Sequence, residues 1–124
     1  MLPFDSMDAH NIRVLVSLTI AAGRLDEFRT IAAEMSRGCR AEPATLAYEW
    51  FVSPDNTRCR TYEAYANSAG LLAHFNGTVA RSLVPKLLEC TTLERLEIYG
   101  DISAEAAALV AGFGAAVFPI LKAP

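Results

Sequence analysis

Only two histidines occur in the 124-residue chain, and His74 stands where a base could work. It follows Leu71 by three positions and Leu72 by two, so on a helix it sits at the margin of an apolar stripe, able to point between helix and sheet. A neutral imidazole exchanges its proton near working pH and can act as a general base. A histidine in the same place can also be structural, bonded to a backbone carbonyl or a carboxylate. For catalysis, His74 must reach a ligand without a fixed carboxylate or arginine neutralising it.

Tyr48, Trp50, Tyr62 and Tyr65 supply material for a flat aromatic pocket whose polar tips would orient a phenolic or quinone-like ligand. Strand aromatics also serve as plain core, because β propensity alone favours them. Tyr48 and Trp50 share one strand face, whereas Tyr62 shares a face with Arg60 rather than with Tyr65, so at most one tyrosine of that strand lines any one cavity. Glu49 and Glu63 fall on strands expected to be neighbours. They read either as a carboxylate pair, which would raise one pKa, or as partners of Arg58, Arg60 or Arg95.

Several chemistries lack their motifs. Cys39, Cys59 and Cys90 are odd in number and share no close spacing, which argues against a disulfide framework or a zinc site and for small buried hydrophobes. No metal site is expected. His-Glu-x-x-His, Cys-x-x-Cys, a glycine-rich dinucleotide loop, a phosphate loop and a Gly-x-Ser-x-Gly elbow are all missing, so no cofactor is expected. Net charge is −3 with no basic run, which sets nucleic acid aside. The first eleven residues carry no basic or apolar stretch of a secretory signal, and a cytoplasmic protein is expected.

The elements that must position these residues follow from periodicity. Ile12, Val14, Val16, Leu18 and Ile20 alternate as one apolar face of a first strand. After Gly23, the residues Leu25, Phe28, Ile31, Ala32 and Met35 recur at helical steps, predicting a helix that ends near Gly38. Residues 45–53 and 58–66 are β-branched and aromatic runs joined by Pro54-Asp55-Asn56-Thr57, which suits an antiparallel hairpin. Asn67 or Ser68 can cap a helix buried through Leu71, Leu72 and Phe75, with an interruption at Gly77. A second helical stretch spans about 79–90 and contains Pro85, and residues 92–99 alternate as a fourth strand. The order is β-α-β-β-α-β, the ferredoxin-like plan of an α+β fold. Its open sheet face is too apolar to be simply solvated, so sheet-on-sheet burial in a homodimer is expected.

The whole chain reads as one domain, with an N-terminal extension over residues 1–11, a core over 12–100 and a helical extension over 101–124. In that extension Ser103 is a fair N-cap, and Ala106 to Leu121 runs 16 residues without a charge. At about 1.5 Å per residue this is short for a hydrocarbon core of about 30 Å, so no membrane span is expected. Ala108, Gly112 and Ala116 at four-residue steps predict an extra C-terminal helix packed on protein, covering a dimer seam or closing a pocket mouth.

The run Tyr62-Glu63-Ala64-Tyr65, the polar turn at Asn67 and Ser68, and His74 together resemble the antibiotic-biosynthesis-monooxygenase-like family. Gly23 to Phe28 opening the first helix and Tyr48-Glu49 before the Pro54 to Thr57 turn extend the likeness over about Ile12 to Gly100. The resemblance implies a dimeric α/β barrel of ferredoxin-like protomers and a cofactor-independent monooxygenase acting on a quinol or polyketide-like aromatic. In that reading His74 is the base, with Trp50, Arg60 and Tyr62 or Tyr65 orienting the substrate. The haem-degrading branch carries an Asn on the first strand and a Trp on the second helix, where this chain has Ser17 or Thr19 and no Trp. The alternative is a non-catalytic module on the same fold that binds a small aromatic ligand or serves a stress response.

Overall fold

A computed structural model describes residues 10–122. Its elements are β1 (Ile12–Ile20), α1 (Leu25–Cys39), β2 (Thr45–Val52), β3 (Arg58–Tyr65), α2 (Ser68–Asn76), α3 (Thr78–Cys90), β4 (Thr91–Tyr99), α4 (Ala104–Ala111) and β5 (Ala116–Phe118). The strands form one sheet in the order β2-β3-β1-β4-β5, antiparallel except for β5, which runs parallel to β4. The expected ferredoxin-like α+β plan is therefore present, with the most apolar strand, β1, at the centre. Most of the expected N-terminal extension lies outside the described residues.

Alternation decides which face of the sheet is covered. Ile12, Val14, Leu18 and Ile20 of β1 are buried, and so are Cys59, Thr61, Glu63 and Tyr65 of β3. Against this face α1 lays Phe28, Ile31, Met35 and Cys39, spaced three and four residues apart. Full burial of side chains such as Phe28 and Met35 stabilises the fold by about 1.5–3 kcal/mol each. The apolar interior gathers in two clusters. One lies around Ile12, Tyr65, Leu71 and Ile98 with Ala106 and Val110 of α4, the other around Leu18, Phe28, Met35 and Leu87. Val16 packs against both.

The hairpin turn follows from its residues. Asn56 adopts a positive φ of 62°, which asparagine tolerates, and the Asp55 carboxylate accepts bonds from Ser53 Oγ, Thr57 N and Thr57 Oγ1. At the start of α2, Asn67 Oδ1 accepts from Gly70 N at 2.9 Å, which makes Asn67 rather than Ser68 the cap. Gly77 separates α2 from α3.

The C-terminal extension departs from the expected single helix. Ser103 does cap it, accepting from Ala106 N at 3.1 Å, but the helix stops at Ala111. Gly112 is its C-cap, Gly114 takes a φ of 74°, and Ala116-Val117-Phe118 then pair with Glu97-Ile98-Tyr99 of β4. Glycines at the break and a β-branched/aromatic pair beyond it favour a turn and strand over a continuing helix. Ala116 therefore does not share a helix face with Ala108 and Gly112. Among the described residues, no helix is long and apolar enough to cross a membrane.

Candidate functional site

Between the covered face of the sheet and the helices lies a cavity of about 270 Å³ with mostly apolar walls. Its polar wall groups are few: Tyr48 and Trp50 from β2, Thr61 and Glu63 from β3, His74 from α2, and Arg81 from α3. A cavity of this kind, with a few polar groups converging on one region, is the ordinary form of a small-molecule site.

His74 is 4% exposed. Its ring is held between aromatic neighbours, with Tyr48 and Tyr65 each 5.3 Å away between centroids and Phe75 at 5.5 Å. Nδ1 lies 2.9 Å from Glu42 Oε1, and the same Glu42 oxygen accepts a 2.9 Å bond from Thr45 Oγ1. The condition set from the sequence, a His74 with no fixed carboxylate, is therefore not met, and Glu42 is also the partner that a purely structural histidine would have. What differs is that the ring is on the cavity wall while the carboxylate takes only Nδ1. In a neutral ring whose Nδ1–H donates to Glu42, the lone pair would sit on Nε2, the role a carboxylate plays behind a catalytic imidazole.

Glu63 is buried, and its partners are hydroxyls rather than an arginine. Tyr65 Oη donates to its Oε1 at 2.5 Å and Thr61 Oγ1 to its Oε2 at 2.8 Å. Burial pushes its carboxyl pKa up, against the lowering pull of nearby His74 and of the two hydroxyl donors. The pairing of Glu63 with an arginine, one of the two readings of the sequence, is thus replaced by an internal network. The carboxylate-pair reading does not hold either, because Glu49 is exposed and sits opposite Tyr62 on the other side of the sheet. Burial likewise raises the Tyr48 and Tyr65 hydroxyls well above their ordinary range, and Tyr65 donates to Glu63 as a neutral phenol.

Trp50 packs edge-on against Phe28 and Tyr48, with centroids 5.9 and 5.8 Å away. Its indole Nε1–H is buried and has no hydrogen-bond partner. An unmade bond of this kind costs about 1–3 kcal/mol, and an acceptor oxygen on a bound ligand would relieve it.

Of the expected site residues, the fold brings His74 and Trp50 to one cavity and places Tyr65 directly behind the histidine. Arg60 and Tyr62 lie on the opposite face of β3, with Arg60 exposed and bonded to the Cys59 carbonyl at 3.0 Å, and neither lines the cavity. Strand alternation forces this once Thr61, Glu63 and Tyr65 face inward. Two residues that sequence reasoning did not single out complete the region. Arg81 stands exposed at the cavity wall, one helical turn before Pro85, whose missing N–H removes the helical bond to the Arg81 carbonyl. Phe113, after α4, also lines the cavity and packs 5.7 Å from Phe75. The extension thus reaches the cavity wall through Phe113, beyond the end of α4.

All three cysteines are free and buried. Cys39 nevertheless lies beside the histidine, with Sγ 3.8 Å from His74 Nδ1. The donor atoms of Cys39, Glu42 and His74 lie within 4.8 Å of one another, a grouping that joins the end of α1 and the turn after it to α2.

Solved structures share this fold. MupZ from Pseudomonas fluorescens superposes with a TM-score of 0.80 at 18% identity over 93% of each chain. A conserved protein of Methanosarcina mazei Go1 gives 0.71 at 20% identity over 81% of this chain and 99% of its own. A protein of Nitrosomonas europaea named "putative antibiotic biosynthesis monooxygenase" gives 0.67 at 19% identity over 79% and 96%. No curated protein sequence matches the chain. The sequence profile described as "Antibiotic biosynthesis monooxygenase" matches residues 11–85, and the chain therefore belongs to the antibiotic biosynthesis monooxygenase family.

Proposed function

We propose that the chain is a monooxygenase in which His74 deprotonates an electron-rich phenol or quinol of polyketide-like aromatic type, and the substrate itself supplies the electrons for O2. The observation that carries this reading is the Glu42–His74 pair, with the imidazole on the cavity wall and the carboxylate on Nδ1. Loss of the phenolic proton to Nε2 gives a phenolate that can pass an electron to O2. Recombination puts one oxygen atom on a substrate methylene carbon, and the other leaves as water with that carbon's two hydrogens. The protein's task is to hold the substrate dry, oriented and next to a base.

The remaining groups have roles that fit this chemistry. In this reading the buried, unpartnered Trp50 Nε1–H donates to a ligand oxygen, the aromatic and aliphatic walls take a flat ring system, and Arg81 attracts the phenolate. Glu63, with Tyr65 and Thr61, forms a second proton-holding group in the same wall.

The protein acts as a homodimer in this reading. The uncovered face of the sheet carries Phe51, which is 54% exposed, beside half-buried Leu15 and Tyr62, an apolar surface suited to a second copy. Arg60 and Tyr62 would then serve the interface. Light scattering on the eluting protein should give twice the chain mass, and a monomer would remove the barrel from the account.

Oxygen uptake by metal-stripped protein against a panel of quinols and anthrone-like phenols tests the activity. Uptake by the wild type that disappears in His74→Ala supports the base. Uptake that persists in the variant refutes it, and a panel that binds without uptake transfers weight to a non-catalytic aromatic-binding module.

A further inference from the structure

We propose that Cys39, Glu42 and His74 form a binding site for a thiophilic divalent cation, with zinc as the reference ion, and that its occupation silences the base. The second half rests on the role assigned to His74 above; the binding site does not.

The end of α1 with its following turn meets α2 there. Cys39 is the last residue of α1, Glu42 lies in the turn that follows, and His74 is in α2. The turn is itself held, with Ala41 N bonded to Gly38 O and Glu42 N to Cys39 O. Sγ to Nδ1 is 3.8 Å, and Nδ1 to the Glu42 oxygen is 2.9 Å. In a tetrahedral zinc site with thiolate, imidazole and carboxylate ligands, donor atoms stand about 3.3–3.6 Å apart. Both pairs are therefore about half an ångström or less from ligating separations. The third pair, sulfur to carboxylate, is within 4.8 Å, and Glu42, with 19% of its side chain exposed, has room to swing and close it.

Other features meet what a metal site needs. Thr45 Oγ1 donates to the Glu42 carboxylate, and the Tyr48 and Tyr65 rings fix the imidazole plane, so two of the three ligands are oriented from behind. Cys39, Thr45 and Tyr48 also line a second depression of about 200 Å³, separate from the aromatic cavity, which offers an ion and its fourth ligand, water, a way in. Arg40 stands on that depression as well and is exposed. Sulfur, nitrogen and a single carboxylate select zinc-like ions over magnesium or calcium.

The consequence for His74 is a change of tautomer. A metal on Nδ1 displaces the proton held towards Glu42 and puts the ring proton on Nε2, turning the lone pair assigned above to the base into a donor. Zinc would thereby act as a reversible inhibitor through the second depression, without entering the aromatic cavity.

The test titrates chelator-stripped full-length protein with cobalt(II) as the spectroscopic probe, followed by zinc displacement. The expected result is one cobalt per chain with a thiolate-to-cobalt charge-transfer band. The band is lost in Cys39→Ser and His74→Gln and retained in Cys59→Ser, while Glu42→Gln weakens binding at least roughly tenfold. A titration without that band, or a band that survives in Cys39→Ser, overturns the site. Circular dichroism and melting check each variant, and if Cys39→Ser does not fold, the part-exposed Glu42→Gln decides. In the uptake assay, saturating zinc should abolish wild-type turnover. Undiminished turnover with the ion bound overturns the inhibitory half. If the metal-free protein turns over nothing, the oxygenase reading fails while the cobalt spectrum still decides the site.

Discussion

Gly38→Ala tests the packing that holds the site together, and it needs no ligand. Gly38 lies in the last turn of α1, next to Cys39, where a methyl group would come 2.5 Å from Val79 Cγ2, 3.1 Å from Cγ1 and 3.4 Å from Cβ. Comfortable carbon contacts begin at about 3.5 Å, so α1 and α3 must part locally by roughly 1 Å. Val79 is β-branched and cannot swing both methyls away. Overpacking of this kind costs about 1–3 kcal/mol, and replacing a helical glycine returns at most about 1 kcal/mol, less in a final turn. The net is a loss of about 1–2 kcal/mol, or a melting temperature lower by roughly 3–10 °C for a chain of this size. Urea unfolding of Gly38→Ala, Val79→Ala and the double variant measures it. With Val79 shortened, both clashing methyls are gone, so Gly38→Ala in that background should become neutral or stabilising and the two changes should couple by at least about 1 kcal/mol. A stabilised Gly38→Ala, or the same penalty in both backgrounds, would refute the close approach of α1 and α3 that sets the cavity roof.

Glu63→Gln keeps the shape of the buried group and removes its ionisation. Because the folded-state pKa of Glu63 is raised, its contribution is fully present below the ordinary carboxylate range and is lost as pH rises through the raised value. Wild type should therefore lose stability relative to Glu63→Gln over that rise, by up to about 1.4 kcal/mol per pH unit, and parallel pH profiles in chemical unfolding would contradict the burial argument. Phe113→Ala removes one ring of the Phe75 pair and part of the cavity wall, so stability should fall by only about 0.5–1.5 kcal/mol while ligand affinity drops several-fold; unchanged affinity would take Phe113 off the site. Hydrogen bonds from Ser53 and Thr57 hold the Asp55 carboxyl down to about 2, so Asp55→Ala should lower the melting temperature at neutral pH, with the difference from wild type shrinking as pH falls towards about 2.

How much of this was legible depended on the kind of signal. The four long strands and first helix follow from alternation and three- and four-residue spacing, and Asn67 and Ser103 were readable as caps because their side chains bond locally. The end of α4 was not, because Ala/Gly-rich sequence is compatible with helix until β4 offers its free edge to Val117 and Phe118. Within the site, His74 and Trp50 could be named, but Glu42 could not. It is 32 residues from His74, in a turn that carries no motif. Glu63 left a faint trace in the run Cys59-x-Thr61-x-Glu63-x-Tyr65, a carboxylate on an otherwise buried strand face with a hydroxyl two residues to either side. Arg60 and Tyr62 fall on the other face through the same alternation, and only the packing of α1 and α2 shows which face is inside.

The central claim is that His74 turns over a ligand held beside Trp50, and the chain's single tryptophan makes binding and turnover separable in one preparation. The decisive measurement is a ligand titration followed by Trp50 fluorescence, with oxygen uptake recorded at saturation, on wild type and His74→Gln. The account predicts similar binding by both proteins and uptake by the wild type alone. Equal uptake by the variant, or ligand turnover without any change in Trp50 emission, would contradict it.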